Sequence, residues 1–210
     1  MIKTVNSLLT EYGVPWTINR SLYSSKLKML SIIPGSEKLY EKKVSIKQVD
    51  LFDFNIREIK KFLLELDNVK QEEIIDIADK ASRGVITAFS SLELDYGFPI
   101  NWHLNPITGH ENIKDLKWYK IPDFDKKVGD IKVIWEASRL TQFLYFIRAY
   151  LISEDDKYYK AFSDQLKNWL KENPYSYGAN YKCGQEATLR MVNVLIAYSV
   201  FKDLGLATKE

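Results

Sequence analysis

Apolar residues recur at intervals of three and four through most of the chain, the period of α-helices that bury one face. The first clear stripe is Ile56, Ile59, Phe62, Leu63 and Leu66, beginning near Asn55. Ile74, Ile75, Ala78, Ala81 and Val85 repeat it over 72–87, behind acids that suit a helix N-terminus. The short polar turn between the two stripes predicts a helical hairpin. A third stripe opens with the stretch 129–139 and continues through Leu140, Phe143, Leu144, Ile147, Tyr150 and Leu151 to about Ile152. Its return helix spans 155–170 on Tyr158, Phe162, Leu166 and Trp169, and Asn173-Pro174 stops it. A Tyr- and Gly-rich loop leads to a last helix over 185–204, apolar at Leu189, Val194, Ala197, Val200, Phe201 and Leu204.

The period fails over 90–124, where Gly97, Pro99, Pro106, Gly109 and Pro122 mark a long irregular connection. That loop holds both histidines, His103 and His110, with Trp102 and Trp118. Residues 1–50 are less regular. Helical patterns at 4–12 and 20–31 are punctuated by Gly13, Pro15, Pro34 and Gly35, and 40–49 suits a short extended piece. Trp16 and Tyr23 in this region read as core positions. The pattern therefore predicts an all-α fold. An N-terminal arm, 1–50, packs on a body of helical hairpins, 51–210, with little room for a sheet.

Composition narrows the function classes. Of the 210 residues 28% are charged, and the net charge is only +2, without the basic stripe that a phosphate backbone requires. The lysines of the N-terminal quarter are interleaved with Glu37 and Glu41, as on a solvated face. No nucleic-acid partner is expected. No apolar run is long enough to span a membrane, and 1–16 lacks a signal-peptide core, so the chain as written reads as cytoplasmic. The single Cys183 precludes an internal disulfide. His103, His110 and Cys183 have no recognised metal-ligand spacing, so no metal or cofactor is expected, and His103 reads as a hydrogen-bonded structural residue. Neither a phosphate loop nor a nucleophile elbow is present. Aromatic residues, at 13%, suit both a core and a surface that stacks on sugar rings.

Candidate chemistry gathers at two helix starts. Glu136 and Arg139 are three apart beside Trp135, and Glu186, Arg190 and Asn193 share one face of the last helix behind Asn180 and Tyr181. An acid and an arginine near a helix start, after an aromatic loop, thus occur twice. Two such starts on one rim would line a sugar-binding cleft; the alternative is a pair of structural ion pairs, since buried charges require partners.

Five motifs in order resemble the N-terminal region of the heparinase II/III family of polysaccharide lyases. They are 101–109 (NWHLNPITG), 129–132 (GDIK) with Trp135, Glu136 and Arg139, Ala149-Tyr150, Trp169 with Asn173-Pro174, and 178–180 (GAN) with Glu186 and Arg190. The resemblance covers roughly 80–200. It implies an incomplete α/α toroid around a groove for acidic, uronate-containing polysaccharide, cleaved by β-elimination. The implied substrate-binding set is Trp102, Asn105, Trp135, Glu136, Arg139, Asn180, Tyr181, Glu186 and Arg190, with Tyr177 and Tyr181 as groove wall. The family's catalytic Asn or His and Tyr lie mainly in later toroid loops and a β-sandwich, and this chain contains no Asn-His dipeptide. No catalytic residue is therefore assigned. The expected partners are an acidic polysaccharide or oligosaccharide and the missing C-terminal half. A non-catalytic helical module that binds glycan or protein is the alternative. A glycosidase on an α/α toroid, using Glu136 and Glu186, ranks below both because a neighbouring arginine opposes a general acid.

Overall fold

The computed structural model describes residues 2–35 and 52–207. The chain divides into two compact units, Met1–Gln48 and Val49–Glu210. The extended piece expected over 40–49 lies outside the described residues.

In the first unit one helical element, α1, spans Ile2–Ile32 and is broken at Gly13, whose φ of 80° is non-helical. Pro15 falls just after that break, where its missing N–H costs little. Thr17 Oγ1 donates to Gly13 O at 2.9 Å, and the Tyr12 and Trp16 rings stack at 4.5 Å across the kink. The two short helical patterns of the sequence are thus parts of one kinked element. Trp16 and Tyr23 are exposed, contrary to the core assignment.

The second unit is mostly α-helical. α2 (Ile56–Leu64) is capped by Asn55, which accepts from Glu58 N, and α3 (Asn68–Ser82) by Asp67, which accepts from Lys70 N at 2.9 Å. α3 ends sooner than its stripe implies. Gly84 turns the chain at φ 92°, and Val85 enters a strand. β1 (Val85–Ala88) pairs antiparallel with β2 (Leu92–Asp95), with Ile86 and Ala88 turned inward. Two smaller hairpins follow, β3 (Leu104–Asn105) with β4 (His110–Glu111), and β5 (Phe124–Asp125) with β6 (Gly129–Asp130). The connection expected to be irregular over 90–124 therefore contains the whole β3–β4 sheet and the second strand of the first hairpin, and it ends where β5 begins. Short turns are closed locally by side chains, and such contacts leave no period in the sequence.

Asp130 caps α4 (Ile131–Ser138) by accepting from Lys132 N at 2.9 Å. α4 is buried on nearly every side, and Tyr96 OH donates to Val133 O at 2.6 Å to fix it against the first hairpin. The expected long helix is in fact two. Leu140, at φ 58°, separates α4 from α5 (Gln142–Ser153). Arg139 O, left without a helical partner, accepts from Asn193 Nδ2 at 2.8 Å. α6 (Lys157–Glu172) and α7 (Gly184–Asp203) complete the body, close to their expected spans.

The main core lies where α3, α5, α6 and α7 meet. Ala78 and Ala81 let α3 approach α5 closely, and Gln165 Nε2 of α6 donates to Ala81 O at 2.8 Å. Phe143, Phe162 and Phe201 form its aromatic centre, with ring centroids 4.9 Å apart for Phe143–Phe162 and 5.2 Å for Phe162–Phe201. Among the described residues no helix is long and apolar enough to cross a membrane.

Candidate functional site

The two acid–arginine sets singled out in the sequence do meet, but the first lies at the C-terminal end of α4 and not at a helix start, because α4 ends at Ser138. α4 supplies Glu136 and the following turn supplies Arg139, while the first turn of α7 supplies Glu186. Arg139 Nε and Nη2 donate to the two oxygens of Glu186 at 2.6 and 2.8 Å, a bidentate fork. Arg139 Nη1 donates to Glu136 Oε1. The second oxygen of Glu136 accepts from Phe89 N at 2.9 Å, which pins the turn of the first hairpin to α4. Glu136 and Glu186 are 6% and 4% exposed, whereas the Arg139 side chain retains 25%. Hydrogen bonding to Glu186 holds the Arg139 guanidinium above its ordinary range, so it stays cationic. Three of its five N–H donors are engaged in these bonds.

Arg190 lies on the inner side. It donates from Nη1 to Ser138 O at 3.1 Å and from Nη2 to Asn180 O at 2.8 Å, and its guanidinium carbon sits 4.3 Å from the Trp169 ring centroid. Burial lowers its pKa, while carbonyl acceptors and the indole face compensate the charge. Asn193, on the same face of α7, bonds the Arg139 carbonyl as described above.

The other expected site residues are held by the backbone of neighbouring loops. Asn180 Nδ2 donates to Trp102 O at 3.1 Å and to Asn173 Oδ1 at 2.8 Å, and Tyr181 OH donates to Asn173 O at 3.1 Å. Burial pushes the Tyr181 phenol up. Trp135 Nε1 donates to Ala179 O at 2.9 Å, and Trp102 Nε1 to Asn168 Oδ1 at 2.7 Å. Asn105 is buried in the β3–β4 turn, where its Oδ1 accepts from Ile107 N at 3.0 Å and its Nδ2 donates to Val128 O at 2.7 Å. Glu136, Arg139 and Glu186 form one hydrogen-bonded group, and Arg190, Asn180 and Tyr181 form a second, joined through Asn180 O and Asn173 and reached by the Trp102 carbonyl. Asn105 stands apart from both, in the hairpin region.

Three contributors to these groups are not apparent from the sequence: the Phe89 N–H, the Ser138 carbonyl and the Asn173 side chain. Two of them are backbone groups, which no residue type advertises. Asn173 reads as a helix stop and as part of the motif with Trp169 and Pro174, neither of which shows that it bonds Asn180 and Tyr181. His103 proves to be buried, with Nε2–H donating to Glu172 O at 3.1 Å and Nδ1 left without a partner. Among the described residues no group of three or more His, Cys, Asp or Glu is placed to hold a metal ion.

The second unit is thus a mostly α-helical body in which Arg139, after α4, and Glu186, in the first turn of α7, are paired in a largely buried setting. The chain belongs to the heparinase II/III family: the family model described as Heparinase II/III N-terminus matches residues 39–204. Among solved structures it is similar to a crystal structure of a heparan sulfate lyase HepC mutant from Pedobacter heparinus, at 18% identity and a TM-score of 0.43. That likeness covers 95% of this chain and 26% of the other, so the chain spans about a quarter of that relative's length. No curated protein matches.

Proposed function

We propose that this chain is the N-terminal toroid segment of a uronate polysaccharide lyase, and that it binds acidic polysaccharide for a β-elimination completed by the remainder of a longer protein. Family membership over residues 39–204 carries this reading. In that reaction a base removes the proton beside the uronate carboxylate, a carbon–carbon double bond forms, and the glycosidic oxygen leaves with a proton. The proton is acidic enough only when the carboxylate charge is offset by a fixed cation or hydrogen-bond donors. Arg139 supports such a role as a hydrogen-bond donor, because Glu136 and Glu186 fix it and its side chain keeps solvent access, although the two carboxylates leave the group without net positive charge. Glu136 and Glu186 orient it. Arg190, Asn180, Trp135 and Tyr181 shape the wall behind it, and Trp102 and Asn105 hold the adjoining loop.

The decisive measurement is the appearance of ultraviolet-absorbing unsaturated uronate ends when the longer protein is given a panel of acidic polysaccharides. Cleavage of none of them would remove the lyase reading. A non-catalytic glycan-binding module is the second reading, and it is favoured by Tyr181, whose OH is engaged by Asn173 O and whose phenol is pushed up by burial. In that case the chain binds acidic oligosaccharide without breaking it. Arg139→Lys keeps a cation but loses the fork, so affinity should fall about fivefold in calorimetric titration while the circular dichroism spectrum is retained.

A further inference from the structure

Past the kink at Gly13, α1 carries an apolar stripe that faces solvent. Val14, Ile18, Leu22, Met29 and Ile32 are each between 53% and 75% exposed. At roughly 3.6 residues per turn they fall on one side of the helix, with Lys26 just past one edge of the stripe and Lys28 just past the other. The opposite side is the one that packs, because Thr17 is buried and Leu27 and Leu30 are half-buried. A helix of a globular protein turns one apolar stripe inward, so the exposed one is a second face. It also lies outside residues 39–204, which the family model matches. We propose that this stripe rests on an anionic membrane surface, its apolar side chains entering the boundary between headgroups and acyl chains while Lys26 and Lys28 reach lipid phosphates.

Charge selects this occupant. From Tyr12 to Ser36 the ionised side chains are Arg20, Lys26 and Lys28, with no acid among them, although the whole chain carries only +2. Arg20 lies on the far side, its guanidinium carbon 5.5 Å from the Tyr23 ring centroid, so the two lysines form the rim of the stripe. A cationic rim beside an exposed apolar stripe complements anionic headgroups, and the long lysine stems keep the ammonium groups at headgroup level while the stripe goes deeper. A second copy of the chain fits less well. Its own α1 would bring the same bases and no acid from this segment to pair with them. The spacing from Ile18 to Ile32 lasts about two heptads with Ser25 inside the seam, short of the roughly three that sustain a coiled coil. The helix lies along the surface and not through it, since among the described residues no helix is long and apolar enough to cross a membrane.

The full chain is sedimented with vesicles of phosphatidylcholine alone and with vesicles that also contain roughly 30% phosphatidylglycerol. Binding should be about tenfold tighter to the anionic vesicles and should weaken as salt is raised. Lys26→Gln and Lys28→Gln should each reduce it about fivefold. The double variant Leu22→Ser/Met29→Ser should reduce it about tenfold, with the circular dichroism spectrum retained because both side chains are exposed. Lys160→Gln/Lys167→Gln, on the exposed side of α6, removes as much charge elsewhere and should leave binding within about twofold. Equal binding to the two kinds of vesicle, or an equal loss in the α6 variant, would overturn the proposal. So would a dimer in sedimentation velocity that Leu22→Ser/Met29→Ser converts to monomer, since a second copy then covers the stripe. None of these readouts depends on the lyase reading, which fails separately if the longer protein cleaves no uronate polysaccharide.

Discussion

Arg139 is the residue that holds the buried carboxylates of Glu136 and Glu186 together. Its removal leaves two buried carboxylates without their common cation, and it also loosens the Phe89 turn that Glu136 holds. Arg139→Ala is expected to lower stability by about 3 kcal/mol, read from the shift of the urea midpoint at unchanged slope. Glu186→Gln keeps an acceptor for the fork and should cost less. His103 gives a second residue-scale expectation. Burial holds its folded pKa below the ordinary 6.5, so between those two values the unfolded chain binds the extra proton. Its contribution is therefore complete above pH 6.5 and is lost as pH falls through the lower folded value. In His103→Gln that part of the acid sensitivity should disappear from pH-dependent denaturation, whereas His110→Gln should retain it.

At the scale of elements, two glycines close turns under different constraints. Gly84 joins α3 to β1 at φ 92°, and a Cβ there would lie 2.0 Å from Gly97 O, a backbone atom that cannot step aside. Gly205 ends α7 at φ 77° with nothing near the added carbon, so only the conformational cost applies. Gly84→Ala should cost more than about 2 kcal/mol and Gly205→Ala about 1 kcal/mol, compared by chemical denaturation. Hydrogen exchange should localise the first loss to the β1–β2 hairpin. The loss should also reach α4, because Tyr96 and Phe89 tie that hairpin to Val133 and Glu136.

For the whole molecule, the main hydrophobic core extends from Leu63 to Phe201 and lies within the second unit. A chain truncated to residues 49–210 should therefore keep a cooperative thermal transition and its helical circular dichroism. A broad, non-cooperative transition would mean that the first unit supplies part of the folding energy.

Helices were legible in the sequence because burying one face of a helix imposes a period of three and four, and α2, α6 and α7 follow their stripes closely. The mostly α-helical class and the family follow from those stripes and from motifs whose residues stand in a fixed order. Several features had no such signature. The separation of α4 from α5 at Leu140 preserves the apolar period on both sides, so the stripe reads as continuous. The short sheets rest on turns capped by Asn105 and Asp125, contacts of two or three residues that no window averages into a pattern. Glu136, Arg139, Glu186 and Arg190 were recognisable as residue types at helical spacing. Their partners were not, because the choice between Arg139 bonding Glu136 alone and bridging to Glu186 across 47 positions depends on how α4 and α7 pack. Sequence by itself determined which side chains are charged, apolar or turn-forming, and hence most of the helices of the second unit. Only the tertiary structure decided which charges share a buried space, because desolvation makes each buried charge depend on a partner that the fold, and not the local chain, brings within reach.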